Sequence, residues 1–472
     1  MARVRSVPVR VDNVTSPVPV TSVVVRRFFG LTKAWAKLQS LQMIGLPKGF
    51  HQLKLRLVTV AIAMSLSSFA LPAVAQDQYF DEMIDLTPPT GPGAREPALA
   101  TLPDGRVAMS WTESSDQGFA VRVVTGDRSG WDMPRTVAQG TDFFVNWADF
   151  PTLTALPDGT LAVQWLRTNG DTDYAYDVNI ALSSDGGQTW GDTLVPHGDR
   201  TQQQHGFVTL LPVADDQLRA IWLDGRNYGS SESVAVEDGA ADTMQLRTAT
   251  ITSAGAMSEE TLLDQRTCSC CQTSAVVADS GALLVVYRNR TEDEIRDIFI
   301  LRQVDGIWTE PAPVSADGWE ISGCPVNGPA VDSNGGRAAV AWFTAANNVP
   351  QVSVAFSDDD GASFSQAIRI DQVAPTGQVD VIQRDDGSAL VSWLEYTAIG
   401  EALMLCRVTL EAGCERAKVL TLSRTGRTMG FPRMTMAADG LYIAWTRSVA
   451  PSQMPENDTT IQMILIPLGD LP

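Results

Sequence analysis

Pro97-Ala-Leu-Ala-Thr-Leu-Pro-Asp-Gly-Arg-Val-Ala-Met-Ser-Trp111 and Pro151-Thr-Leu-Thr-Ala-Leu-Pro-Asp-Gly-Thr-Leu-Ala-Val-Gln-Trp165 are two copies of one phrase. Each reads as a short apolar strand, an Asp-Gly turn and a second apolar strand closed by an aromatic residue. Weaker copies end at Trp222, Tyr287, Trp342, Trp393 and Trp445. With Pro97, Pro151, Val208, Thr273, Pro329, Val379 and Pro432 as equivalent points, the gaps are 54, 57, 65, 56, 50 and 53 residues. A repeat of that length made only of strands is the sequence mark of a propeller blade. The expected fold is all-β: one propeller of four-stranded blades, seven by this count.

Working outward, the fold does not begin at residue 1. Leu57 to Ala70 is an apolar run behind Lys54 and Arg56, followed by Ala73-Val74-Ala75. That pattern is a secretory signal over 53–75 with cleavage before Gln76. The run is short for a membrane span and no second one follows, so the mature chain is expected to carry no transmembrane anchor. Residues 1–52 read as a dispensable extension or the product of a mis-assigned start, with Met43 as an alternative start. The first 75 residues hold ten Lys or Arg against one acid, so the −20 of the whole chain becomes −29 beyond them. Such a body repels phosphate backbones and excludes nucleic acid as a partner. The expected location is the periplasm or outside the cell, and the expected state is a monomer. Residues 76–472 form a single domain, and Gln78–Leu86 offers a spare strand for the outer edge of the last blade, which would close the ring.

Two further segments carry a second signature. Ser183-Ser-Asp185-Gly-Gly187-Gln-Thr-Trp190 and Ser357-Asp-Asp359-Asp-Gly361-Ala-Ser-Phe364 each follow an apolar strand. In such a turn the Asp carboxylate can bond nearby backbone N–H groups, Gly supplies the left-handed position, and the aromatic packs between layers. These residues are structural rather than catalytic. With the Pro…Asp-Gly…Trp phrase they make residues 78–472 resemble the sialidase-like superfamily of Asp-box, or BNR-repeat, propellers. The resemblance implies the fold. Sialidases themselves have six blades, which makes six the alternative count.

In a propeller, residues just before each inner strand and just after each second strand gather at one funnel. Before inner strands stand Arg95-Glu96, Trp147-Ala148-Asp149, His205-Gly206, Cys268-Ser-Cys270-Cys271, Cys324-Pro-Val-Asn327 and Gly430-Phe-Pro-Arg433. After second strands stand Glu113, Arg167, Asp224-Gly-Arg226, Arg288-Asn-Arg290, Glu395-Tyr396 and Arg447. Any one of these charges can close a blade by ion pairing. As a set they describe a binding funnel lined by Cys, His and Arg.

The six cysteines divide into two groups. Cys406 and Cys414 flank an expected hairpin, Leu403–Leu410 to Arg416–Leu422, and read as an ordinary disulfide. Cys268, Cys270 and Cys271 precede the inner strand of blade four, and Cys324 precedes that of blade five, so adjacent blades bring the four together. Two readings stand open. One is a disulfide such as Cys271–Cys324 that braces the funnel. The other is a thiolate site for a soft metal, above all copper as Cu(I), with His205 from blade three as a further ligand. Zinc is disfavoured because the paired Cys-x-x-Cys knuckles are lacking. Of the other histidines, His51 leaves with the leader and His197 is expected at the rim.

The resemblance also implies an enzymatic alternative, an exo-alpha-sialidase or related glycoside hydrolase acting on acidic sugars. Sialidases hold the sugar carboxylate with three Arg, a geometry suited to guanidinium pairing. Arg95 stands in the matching x-Arg-x-Pro phrase, and Arg288 and Arg433 would complete the triad. Glu395 and Tyr396 would supply the nucleophile pair, and Asp149 or Asp116 the acid/base. The chain departs from that pattern in Glu96 after Arg95, in the absence of a Tyr before the last inner strand, and in the thiols at the funnel. The favoured expectation is binding of a soft metal or a small anionic ligand, with a glycan as the partner in the enzymatic alternative. A disulfide-braced scaffold is the third reading.

Overall fold

The computed structural model describes residues 82–172, 174–228, 243–423, 429–448 and 459–471. The expected leader and extension within 1–75, His51 included, lie outside them. Among the described residues the repeated phrase forms the two innermost strands of a blade seven times. In blade one, Arg95–Thr101 pairs with Val107–Ser115, which pairs with Gly118–Asp127 and then the outer Arg135–Gly140. The other inner strands are Leu153–Ala155, His205–Ala214, Ser274–Val277, Ala330–Asn334, Pro375–Gln383 and Arg433–Ala437. The named strands pair antiparallel, and the result is a seven-bladed propeller of four-stranded blades. In blade two the outer edge shrinks to a single bridge between Ile180 and Leu194. In blade seven the outermost strand is Ile84–Leu86, paired with Thr459–Pro467 with Ile84 opposite Leu465.

The second strands are buried on both faces, because each blade lies between two others. Leu161, Val163 and Trp165 pack with Val121 and Val123 of blade one. Ala162 and Leu166, on the opposite face of the same strand, pack with Leu218, Ala220 and Trp222 of blade three. The closing aromatics Trp111, Trp165, Trp222, Tyr287, Trp342, Trp393 and Trp445 are all buried. A buried indole N–H needs an acceptor. In three blades it comes from the acid two residues on: Glu113 at 2.7 Å from Trp111, Asp224 at 2.9 Å from Trp222, and Glu395 at 2.9 Å from Trp393.

Adjacent blades are clamped by buried side chains that accept backbone N–H groups of their neighbours. Asp149 Oδ2 accepts from Phe207 at 2.8 Å, Asp332 Oδ2 from Gln383 at 2.8 Å, and Asp380 Oδ2 from Met434 at 2.8 Å. Gln272 Oε1 accepts from Gly328 at 3.1 Å, and Thr446 Oγ1 from Glu96 at 2.9 Å across the last and first blades. The inner strands of blades one, three and six carry register shifts at their starts, where Glu96, Phe207 and Gln378 adopt φ of 55°, 53° and 50°. A bulge there re-aims the side chains that approach the axis.

Candidate functional site

All seven inner strands line one axial cavity of about 220 Å³, whose polar wall includes Asp149, Asp332, Asp380, Thr209, Thr273 and Arg433. Burial pushes the Asp149 carboxyl up to about 7 and the Asp332 carboxyl up to about 6. Burial also raises Asp380, with Arg433 opposing it, and holds Glu96 well above the usual carboxylate range against the pull of Arg95. Phe150 on the cavity wall meets Phe431 at 6.0 Å between ring centroids, and Phe431 stacks on Trp147 at 5.6 Å. Aromatic residues from blades two and seven thus meet at the axis.

The cysteines lie where blades four and five start. Cys270 and Cys324 form a disulfide with Cα atoms 5.9 Å apart. The bracing bond therefore uses Cys270 rather than the expected Cys271, and it removes Cys270 and Cys324 from the thiolate set. Cys268 and Cys271 remain free thiols, both buried, with Sγ atoms 3.2 Å apart. Cys268 Sγ also lies 3.8 Å from Cys270 Sγ. The Cys271 thiol beside it lowers the Cys268 thiol, with Arg288 and Arg296 helping, whereas burial pushes Cys271 up. The pair therefore ionises first at Cys268, and Arg296 Nη1 donates to that sulfur at 3.4 Å. Exposure falls from Cys324, which is exposed, through half-buried Cys270 to the buried thiols. The second expected disulfide, Cys406–Cys414, is present with Cα atoms 6.0 Å apart.

His205 does not join the sulfurs. Among the described residues the sulfur group within 4.8 Å contains only Cys268, Cys270 and Cys271, while His205 groups with Asp177 and His197 and with Asp199 and Asp224. The reason is local. His205 Nδ1 faces the carbonyls of Gln203 at 3.1 Å and Tyr176 at 3.3 Å, which turns Nε2 toward Asp199, 3.2 Å away. Burial works against a charge on His205, but Asp199, Asp224 and Asp177 outweigh it and raise its pKa. Burial likewise opposes ionisation of Asp199, yet contacts from His197, His205 and Thr201 hold it well below the usual range. His197 is not at the rim: it is buried and stacks on His205 with centroids 3.8 Å apart and planes 3° apart.

The residues expected for a sialidase are dispersed. Only Asp149 and Arg433 share the axial cavity. Arg288 is buried, and its three guanidinium nitrogens donate to the carbonyls of Asn327, Arg296 and Phe343 at 2.9, 2.6 and 2.7 Å. Its plane lies over Trp319, 4.8 Å from the ring centroid. Glu395 is buried and accepts from Trp393 Nε1 and from the backbone N–H groups of Gln372 and Val373. Tyr396, the next residue, is exposed. Arg95 Nε donates to Gly93 O at 3.1 Å, and Arg433 lies 3.5 Å from Asp380 and over Phe150. Arg288 and Glu395 are thus engaged by the fold, with three of the five Arg288 N–H donors and both Glu395 oxygens bonded to protein groups.

The two aspartate turns form closed networks. Asp185 accepts from Ser183 Oγ at 2.8 Å and from Thr189 N and Oγ1 at 2.9 and 2.6 Å, and Gly187 N donates to Ser183 Oγ at 2.9 Å. Asp359 repeats this with Ser357 and Ser363, and Gly361 N with Ser357 Oγ. Trp190 and Phe364 pack against the blade cores beside them.

Two signals lay unused in the sequence. Cys268 and Cys271 stand at Cys-x-x-Cys spacing, hidden by the intervening Cys270. Trp-x-acid recurs at Trp111, Trp222 and Trp393 and marks Glu113, Asp224 and Glu395 as anchors.

No family model matches this chain, and no curated protein matches it. Several solved structures share its architecture. The lectin BP39L of Burkholderia pseudomallei aligns with a TM-score of 0.50 at 13% identity over 77% of this chain and 98% of its own. A Dyadobacter fermentans protein of unknown function aligns at 0.46 and 14% identity over 82% of this chain and 98% of its own. The microbial sialidase Hz136 aligns at 0.45 and 13% identity over 76% and 75%. Sialidases are thus among the structures it aligns with, and at 13% identity the likeness to the lectin shows the fold alone. No helix among the described residues is long and apolar enough to cross a membrane.

Proposed function

We propose that the protein binds a soft monovalent metal ion, Cu(I), between the thiolates of Cys268 and Cys271. The observation that carries this reading is the pair of buried free thiols 3.2 Å apart, in a group whose donors are all sulfur. A donor set without nitrogen or oxygen favours Cu(I) over zinc or the hard cations. Cu(I) held by two thiolates would carry one net negative charge, which is costly to bury alone. Arg296 on Cys268, with Arg288 close behind, supports that charge. Binding displaces the proton of Cys271, so affinity rises with pH.

The proposal includes a setting. The two disulfides favour an oxidising compartment, consistent with the signal expected over 53–75 and a periplasmic or secreted protein. The aspartate turns favour the Asp-box reading of the repeats. The roles of Arg288 and Glu395 as bonded anchors weigh against sialidase chemistry.

The experiment is anaerobic titration of the full chain, disulfides intact, with Cu(I) against a competing chromophoric chelator. One equivalent is expected per chain, and Cys268→Ser or Cys271→Ser is expected to abolish it. Unchanged binding in both variants refutes the proposal.

A further inference from the structure

A second buried cluster, between blades two and three, has a chemistry that the sulfur site does not use. His205 Nδ1 lies against the carbonyl oxygens of Gln203 and Tyr176, so Nδ1 carries the hydrogen and a neutral ring presents a bare lone pair at Nε2. That lone pair faces Asp199 Oδ1 at 3.2 Å and Asp224 Oδ1 at 3.7 Å. His205 and Asp224 are wholly buried, and neither His205 Nε2 nor Asp199 Oδ1 has a well-formed hydrogen bond. A nitrogen lone pair opposed to two carboxylate oxygens is repulsive unless a positive species lies between them.

The local charge count says how much positive charge is needed. Asp177, Asp199, Asp224 and Glu260 contribute four negative charges, and Arg226 and Arg247 contribute two positive ones. A neutral histidine pair therefore leaves −2. One proton on His205 leaves −1. A divalent cation neutralises the cluster in one step.

The spacing also fits. A tetrahedral ion with bonds of about 2.0–2.1 Å holds its donors about 3.4 Å apart, between the two distances observed. We propose that His205 Nε2, Asp199 Oδ1 and Asp224 Oδ1 form a site for a divalent first-row cation, zinc foremost. A mixed nitrogen–oxygen set of three suits zinc, whereas calcium takes six to eight oxygens. The groups around the donors fix their positions, as they do in metal sites, and Asp224 Oδ1 also accepts from Arg226 N and Nε at 3.1 and 2.7 Å. A carbonyl fixes the His205 ring, Arg226 and Trp222 hold Asp224, and Thr201 holds Asp199.

The full chain, purified without chelating resin, is titrated with Co(II) and followed by visible absorption. One equivalent is expected, giving ligand-field bands of tetrahedral Co(II) without sulfur-to-cobalt charge transfer, and the same spectrum in the Cys268→Ser/Cys271→Ser variant. Asp199→Asn is expected to weaken binding at least about tenfold, while Glu260→Gln, which alters the cluster but no donor, keeps the spectrum. Absence of Co(II) binding by the native chain, charge-transfer bands, or unchanged affinity in Asp199→Asn overturns the proposal. Should Asp199→Asn fail to fold, nitrogen NMR of zinc-equilibrated native protein decides. A proton found on His205 Nε2 means that the position holds a proton only, and the site is refuted.

Discussion

Replacing Asp149 with asparagine isolates the cost of an ionisable group at the propeller axis. Asp149 Oδ2 accepts the Phe207 N–H at 2.8 Å, at a position where Phe207 has a φ of 53°. Asparagine keeps that acceptor and cannot ionise. Burial raises the Asp149 pKa from 3.8 to about 7, so the folded chain retains a proton that the unfolded chain releases across that window. Stability is therefore lost as pH rises from about 4 to about 7 and is level above it. At 1.36 kcal/mol per pKa unit, the wild type gives up at most about 4 kcal/mol by pH 8 and about 1.6 kcal/mol by pH 5. Asp149→Asn is expected to match the wild type near pH 4 and to exceed it by those amounts at pH 5 and pH 8. Glu96, Asp332 and Asp380, all raised by burial, leave the variant with a smaller slope of the same sign. The assay is urea unfolding followed by tryptophan fluorescence at each pH, comparing variant with wild type. A difference that does not change with pH, or a variant less stable than wild type at pH 8, refutes the account of Asp149 as a buried neutral acid.

Arg288→Ala leaves three buried carbonyls without a donor, and a loss of about 3 kcal/mol or more is expected in denaturant unfolding. Cys406→Ser opens a loop of sequence separation 8 and is expected to cost about 2.5 kcal/mol by the chain-entropy relation, read as a lowered unfolding midpoint with the fold intact by circular dichroism. Gly377→Ala places a Cβ 2.1 Å from Asn327 Oδ1 at a φ of +94°, so a loss of about 2 kcal/mol or more is expected in the same unfolding assay. A fluorogenic α-sialoside is expected to stay intact with the wild-type chain, because Arg288 and Glu395 are buried and bonded to protein groups.

The blade count was legible because Pro97–Trp111 and its copies state strand, turn and strand at a constant interval. The outer edges were less so. Gly130–Trp131 and Ile307–Trp308 are two-residue strands. Pieces so short carry no alternation to read. The second strands showed the opposite effect. Alternation in Leu161–Trp165 puts Leu161, Val163 and Trp165 on one face and Ala162 and Gln164 on the other, and both faces are buried, since a blade has another blade on either side.

Register fixes the level at which a residue meets the axis, and level is only one of two coordinates that make a site. His205 opens one inner strand and Cys271 shortly precedes the next, and their segments are linked through Gln204 Nε2, which donates to Ser269 O at 2.8 Å. They nevertheless serve different clusters. His205 is turned by the carbonyls of Gln203 and Tyr176, and backbone carbonyl directions follow from bulges that strand periodicity does not encode. His197 illustrates the same point from the loop side. It follows the aspartate turn at Asp185, which placed it at the rim, but Asp177 and Asp199 draw it inward to within 3.6 and 3.4 Å. A buried imidazole beside two carboxylates needs both sides of the interaction to be known, and one of them lies in the adjacent strand Tyr176–Ser183 while the other lies in the connecting loop. The sulfur cluster was legible as a group, because Cys268, Cys270 and Cys271 lie within four residues, but which two stay thiols was not, since that depends on the Cys270–Cys324 bond between two blades. The parts of the site written within a few residues were thus available in the sequence, and the parts assembled across blades depended on where the bulges aim the backbone.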